Sequence, residues 1–220
     1  MSVSKELARK LLQIKAIRLS PQKPFTWASG IKSPIYCDNR VVLSDPDTRN
    51  LVKEGLAELA KEWGEFHTVA GVATAGIAHG ALLADAMGKP FVYVRSKRKG
   101  HGRQNLIEGN LTPNCKVVVV EDLISTGMSS LKAVSALKDG EARIIGCLAL
   151  FSYGFQDATD AFQAQKCEFK TLTDYNTLLE VAVEEGFLEQ EELETLKEWR
   201  VSPKTWTPRI IEEEENKEND

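Results

Sequence analysis

Residues 116–130, KVVVVEDLISTGMSS, decide how this chain is read. Val117, Val118, Val119 and Val120 make an uninterrupted β-branched run, short enough for a strand buried on both faces of a parallel sheet. The run stops at Glu121 and Asp122. Ser125, Thr126, Gly127, Ser129 and Ser130 follow, and LKAVSALKDG then has the periodicity of an amphipathic helix ending at Gly140. A strand that feeds a small-residue loop and a helix N terminus presents outward N–H groups, hydroxyl donors and the positive end of the helix dipole. That combination binds phosphate. The two carboxylates would repel a phosphate, so they suit neutral hydroxyls such as the 2′ and 3′ groups of a ribose. Sugar hydroxyls and a phosphate one loop apart describe a 5-phosphoribosyl group.

A plainer reading makes the segment a strand entering a helix through a turn capped by Ser or Thr. It accounts for the hydroxyls one at a time. It does not account for Glu-Asp at the end of a four-valine strand, where charge is costly unless it faces a cleft. A nucleoside-triphosphate loop is excluded, because the chain contains no G-x-x-x-x-G-K-[ST].

Outward from this segment, strand and helix patterns alternate. Strands are expected at residues 67–73, 91–94, 116–120, 142–151 and 168–172. Helices are expected at 5–17, 45–63, 76–87 and 155–165, with two more within 177–200. The alternation predicts an α/β fold, a parallel sheet with helices on both faces joined by right-handed crossovers. Ligands of such sheets bind at the carboxyl ends of the strands, where the loops after Ala73, Val94 and Val120 would converge.

Each of those loops carries chemistry. Thr74, Ala75 and Gly76 are small and open a helix, a weak signal alone but a plausible pyrophosphate site beside a phosphoribosyl loop. Residues 95–109, RSKRKGHGRQNLIEG, form a long segment with little apolar content, in which five Lys or Arg side chains flank Gly100-His101-Gly102. Loops of this length without secondary structure are uncommon in compact domains and are usually functional. The pattern predicts a mobile cationic lid with His101 as proton donor, against the plainer reading of a solvated basic loop. His67 and His79 read as structural. Residues 25–40, FTWASGIKSPIYCDNR, could cap the cleft over a flat ligand or pack Trp27 and Tyr36 into the core.

Composition limits the function classes. The chain has 220 residues, 42% hydrophobic and 27% charged, enough for one α/β domain with its own core. The net charge of −4 argues against nucleic acid as a default partner, and the basic 95–103 segment argues for an anionic ligand. Residues 212–220 are an acidic run without apolar content, read as a disordered tail. Cys37, Cys115, Cys147 and Cys167 lack metal-site spacing, and no leader or apolar span of ~20 residues is evident. A cytoplasmic protein with reduced thiols is expected, with no membrane role.

Taken together, these motifs resemble the orotate phosphoribosyltransferases of the type I phosphoribosyltransferase family, of the Gram-positive bacterial type. The resemblance spans essentially residues 4–200. VVVVEDLISTG resembles the phosphoribosyl-diphosphate signature of all type I members, and FTWASGIKSPIYCDNR and RSKRKGHG narrow it to the orotate enzymes.

The resemblance implies a five-stranded parallel sheet flanked by helices and a hood made from the N- and C-terminal segments. The hood would take residues 1–43 and the C-terminal helices, the core 45–172 and the lid 96–109, in one domain of residues 1–211. It implies transfer of phosphoribosyl to orotate, giving orotidine 5′-monophosphate and pyrophosphate in pyrimidine (UMP) synthesis. Mg²⁺ would be held mainly through the substrate, and a homodimer would share its lid between subunits.

For the residues, it places Glu121 and Asp122 on the ribose. Leu123, Ile124, Ser125, Thr126, Gly127, Met128 and Ser129 wrap the 5′-phosphate side, and Thr74, Ala75, Arg95, Lys99 and His101 meet the diphosphate. Ser125, Lys32 and Tyr36 meet orotate. Lys99, His101 and Asp122 would be catalytic. The chain departs from enteric-type relatives at Ala28, Ala75 and Ser96, and at Phe151-Ser152-Tyr153, where those carry an arginine that contacts orotate. A nucleic-acid-binding regulator of the same fold would need a broader basic surface or an added domain. A purine-type transferase would not need the SGIKSP segment.

Overall fold

Ser2 accepts a hydrogen bond from the Lys5 N–H and opens α1 (Val3–Gln13), whose Leu7, Ala8, Leu11 and Leu12 are buried. This computed structural model describes residues 2–27, 30–97 and 106–208. Four short strands follow α1: β1 (Ile17–Leu19), β2 (Phe25–Thr26), β3 (Lys32–Ser33) and β4 (Ile35–Cys37). They form two antiparallel pairs, β1 with β4 and β2 with β3. A 3-10 turn over Asn39–Ser44 leads to α2 (Pro46–Lys61), capped by Asp45 with proline in its first turn.

The main sheet is built from β5 (Thr68–Val72), β6 (Phe91–Val94), β7 (Ile107–Glu108), β8 (Lys116–Ile124), β9 (Arg143–Ser152) and β10 (Phe169–Asp174). Between them run α3 (Gly76–Ala86), α4 (Met128–Asp139) and α5 (Gln156–Ala164). The chain then continues through α6 (Tyr175–Glu184) and α7 (Leu193–Val201). The strand order is β10-β9-β8-β5-β6-β7, parallel throughout except for β7.

The valine run explains why β8 is central. Val118 and Val120 face a core shared with α1, α2, α3 and α6, while Val117 and Val119 face a second core shared with α4 and α5. The four are fully buried. Trp199 of α7 is also fully buried, packed against Trp27, Tyr153, Phe155 and Tyr175, and its Nε1 donates to the Lys32 carbonyl. A buried aromatic of this kind contributes roughly 3–5 kcal/mol relative to alanine. It ties the C-terminal helix to the N-terminal hairpin.

The structure differs from the sequence expectation at four places. β8 continues four residues past Val120, because β9 pairs with it as far as Ile124 opposite Ser152. α4 begins at Met128, so Ser129 and Ser130 lie in its first turn. The first helix stops at Gln13, and Ile17 belongs to a strand. The sheet has six strands, not five: residues 107 and 108, expected in a lid without secondary structure, form the antiparallel edge strand β7. The Arg95 N–H donates to the Leu106 carbonyl and closes the base of that segment.

Candidate active site

The sheet changes direction between β5 and β8. β5 leads outward to β6, and β8 leads the other way to β9 and β10, so a crevice opens at their carboxyl ends. β8 pairs with β5 only as far as Val120 opposite Gly71, which leaves residues 121–124 unpaired on that side. The N terminus of α3 occupies the gap. It can do so because residue 76 is glycine: a Cβ there would collide with the Val120 carbonyl oxygen.

Both helices that start at the crevice start without a side-chain cap. Ala75 precedes α3 and Gly127 precedes α4; α5 and α7 likewise start without one, whereas α1, α2 and α6 are capped by Ser2, Asp45 and Asp174. The first amides of α3 and α4 are therefore available to an anion. Gly127 has φ +75, and a Cβ on it would lie 2.7 Å from the Phe162 ring. Around it, Thr126, Met128 and Ser129 are exposed and Ser125 is half-buried, a loop rimmed by hydroxyls. Thr74 is exposed and Ala75 half-buried at the start of α3.

The two adjacent carboxylates differ in exposure: Glu121 is buried and Asp122 half-buried. Glu121 is 6% exposed and turns under α4: its Oε1 accepts from the Asp122 N–H at 3.1 Å, and its Oε2 lies 3.4 Å from Ser130 Oγ. Burial first, and the charge of Asp122 second, push its pKa up to about 9. Burial and the neighbouring carboxyl thus favour the protonated form of Glu121. Asp122 is half-buried and its carboxyl meets that of Glu121 in a side-chain hydrogen bond; burial raises its pKa, and the bond to Glu121, backbone N–H groups and Arg40 partly offset the rise. Of the two carboxylates expected on the ribose, Asp122 is the more exposed. Ile124 is fully buried in the α4 and α5 core, so its side chain belongs to packing and not to a ligand contact.

Asn39 was not among the expected residues. It is fully buried, donates from Nδ2 to the Asp122 carbonyl at 2.9 Å, and its Oδ1 receives the Cys37 thiol at 3.3 Å. A buried asparagine inside SPIYCDNR gives no signal that separates it from an ordinary turn residue.

Beside Asp122 lies an aromatic slot of about 230 Å³ lined by Trp27, Tyr36, Cys37, Leu123, Ser125 and Tyr153. Trp27 serves both alternatives left open by the sequence: it packs on Trp199 and Tyr153 and also walls the slot. Tyr36 lines the slot, with the Arg18 guanidinium 5.0 Å from its ring centroid. Lys32 does not line it, and its ammonium donates to Thr26 Oγ1 at 2.8 Å. A second chamber of about 280 Å³ shares Trp27 and Ser125 with the slot and is closed by residues 200–205.

Residues 42–179 match the phosphoribosyl transferase domain family. The orotate phosphoribosyltransferase of Cytophaga hutchinsonii is 52% identical over 94% of this chain and 99% of its own length. This chain belongs to the orotate phosphoribosyltransferase family. Among solved structures, the orotate phosphoribosyltransferase of Aeropyrum pernix is similar with a TM-score of 0.73 and 30% identity, covering 83% of this chain and 99% of that one. The fold is also that of Leishmania donovani UMP synthase, with a TM-score of 0.76 and 23% identity over 90% of this chain. This chain spans 42% of that longer one.

Within this phosphoribosyltransferase site, Arg95 stands apart from the slot. Its Nη1 lies 3.4 Å from Glu108 Oε1, and it lines a chamber of about 300 Å³ with Ala73, Ser96, Ser129, Lys132 and Asp139. That chamber joins the loop after β5 to the first turn of α4, the two places expected to meet phosphate groups. Lys99 and His101 lie outside the described residues, as do Ala28 and the acidic tail 212–220. His67 is structural, its Nδ1 accepting from the Lys116 N–H. His79 is buried in α3, and burial lowers its pKa to about 4.

Proposed function

We propose that this chain transfers the 5-phosphoribosyl group of 5-phospho-α-D-ribose 1-diphosphate to orotate, releasing pyrophosphate and forming orotidine 5′-monophosphate for pyrimidine synthesis. One juxtaposition carries the reading. Ser125 belongs both to the hydroxyl-rimmed loop at the uncapped start of α4 and to the aromatic slot. A 5′-phosphate held by residues 125–129 and a flat base held between Trp27, Tyr36 and Tyr153 would place the ribose C1 between them, over Asp122.

The roles follow from charge. Ser125, Thr126, Ser129 and the amides at 127–129 bind the 5′-phosphate. Asp122 accepts from the ribose hydroxyls and stabilises positive charge that develops on the sugar ring as pyrophosphate departs. Glu121, buried beneath the loop with its Oε1 accepting from the Asp122 N–H, supports the strand that carries Asp122. Thr74, Ala75 and Arg95 receive the diphosphate. Lys99 supplies cationic charge to the leaving group and His101 a proton or hydrogen bond.

Mg²⁺ fits this donor set. Among the described residues no three His, Cys, Asp or Glu side chains converge; half-buried Asp122 precedes the phosphate loop, and exposed Asp157 lines a chamber with Ser125 and Thr126. Mg²⁺ prefers one or two carboxylates completed by substrate phosphates and water. Held by the diphosphate, the ribose hydroxyls and Asp122, it would supply positive charge to the leaving group.

The hood comprises residues 1–43 with the C-terminal helices, and the lid residues 96–109. The working unit is a homodimer in which each lid serves the partner's site. The four cysteines are unpaired, which suits a reducing cytoplasm. Among the described residues no helix is long and apolar enough to cross a membrane.

The test is orotate consumption with phosphoribosyl diphosphate and Mg²⁺, alongside adenine, guanine, hypoxanthine and uracil. Turnover of orotate alone is expected. Turnover of a purine instead reassigns the slot, and binding of phosphoribosyl diphosphate without turnover of any base overturns the enzymatic reading.

A further inference from the structure

None of the six residues that line the slot is a lysine, arginine or histidine, and burial raises the pKa of both the Cys37 thiol and the Tyr153 phenol. Orotate, the base assigned to this slot above, bears a ring carboxylate. An anion taken out of water without a cationic partner is held at heavy cost. The nearest described walls of the slot do not supply that partner, and the adjoining chamber does. It shares Trp27 and Ser125 with the slot and is lined by Arg200 and Lys204 against a single acid, Asp157.

Arg200 is the better placed of the two. The preceding residue, Trp199, is fully buried, and its Nε1 bond to the Lys32 carbonyl fixes the end of α7 against the hairpin. Arg200 Nη1 donates to Asn176 Oδ1 at 3.0 Å, and the same nitrogen lies 3.5 Å from where a Cβ on Gly154 would stand. Gly154 follows Tyr153, the back wall of the slot. The guanidinium is thus held beside that wall by a neutral partner, and it is in no ion pair with an acid among the described residues. Four of its five N–H donors are left for a ligand. Lys204, by contrast, is exposed on the segment after α7.

We propose that Arg200 receives the ring carboxylate of the base and is the residue that selects a carboxylated pyrimidine over an uncharged one. The proposal rests on the assignment of the slot to orotate. Arg18, stacked on Phe25 and Tyr36, is the rival cation from the opposite side.

The experiment compares wild type, Arg200→Gln, Arg200→Lys and Arg18→Gln in steady-state turnover of orotate, with uracil as a competitive inhibitor and thermal unfolding as the check on folding. Loss of a charge-assisted contact predicts an orotate KM raised roughly 10- to 100-fold in Arg200→Gln. The KM for phosphoribosyl diphosphate and the inhibition constant of uracil should stay within about twofold, and Arg200→Lys should recover part of the loss. A merely structural role would weaken uracil and phosphoribosyl diphosphate as well, and that result overturns the proposal. An unchanged orotate KM in Arg200→Gln, or the selective loss appearing in Arg18→Gln instead, overturns it too. A wild-type chain inactive on orotate would overturn the functional reading itself; wild-type activity with an unaffected Arg200→Gln overturns this proposal alone.

Discussion

Asn39 donates from Nδ2 to the main-chain oxygen of Asp122 at 2.9 Å, joining the turn after β4 to the strand that carries the half-buried carboxylate. The bond crosses 83 residues of sequence and neither partner's side of it meets bulk solvent freely. Asp122 lies where β8 has lost its β5 neighbour, so the carbonyl would otherwise depend on water. The N-terminal segment thereby sets the height of Asp122 in the crevice as well as walling the slot.

Asn39→Ala should therefore act twice. It leaves a buried carbonyl without its donor, at a cost of about 1–3 kcal/mol in denaturant unfolding. It also frees the Asp122 backbone, so kcat/KM for phosphoribosyl diphosphate should fall roughly tenfold or more, since small displacements of positioning groups cost rate steeply. Asn39→Asp should be worse than alanine, because a carboxylate would face both the carbonyl oxygen and Asp122. Equal activity of all three proteins would detach Asn39 from the site.

What the sequence made legible was what burial on two faces imposes on a strand. Val117–Val120 had to be central, and the loop after it had to lie at the carboxyl edge. The extension to Ile124 was hidden because Glu121 and Asp122 look like a strand end. Pairing of Glu121 opposite Ala149 and of Leu123 opposite Phe151 overrides their low strand preference. β7 was hidden because two residues, Ile107 and Glu108, are too few to show a period. Arg200 reaches the site only through the packing of Trp199, whose partner Lys32 is 167 residues away, and no local pattern carries that information.

Glu121 makes stability depend on pH in a defined direction. The ordinary glutamate pKa of 4.5 rises to about 9 in the folded chain. Below 4.5 both folded and unfolded forms are protonated, and the group is neutral in its effect. Between 4.5 and 9 the unfolded chain releases a proton that the folded chain keeps, so stability falls as pH rises through that window. Glu121→Gln keeps an oxygen for the Asp122 N–H and removes the titration. It should be more stable than wild type by roughly 1–3 kcal/mol at pH 8, with the gap closing toward pH 4.5. Urea unfolding of both proteins from pH 5 to 8.5 measures this, and parallel curves would mean that Glu121 is ionised in the fold.

Gly127 faces two separate demands, and substitution can tell them apart. Its φ of +75 is the left-handed region, where a side chain costs about 1–2 kcal/mol. A Cβ would in addition press on the Phe162 ring, 2.7 Å from Cε2. Gly127→Ala should therefore destabilise the protein, and it should raise the KM for phosphoribosyl diphosphate by tilting the first amides of α4 away from the phosphate. Phe162→Leu removes the ring edge at its own packing cost, so in the double variant the two losses should be less than additive. The backbone demand does not depend on Phe162. If the phosphate site is built by the left-handed turn, the double variant regains stability relative to the sum of the singles while its KM stays high. If KM recovers along with stability, steric pressure from the ring was the cause and the turn is not what aims the amides.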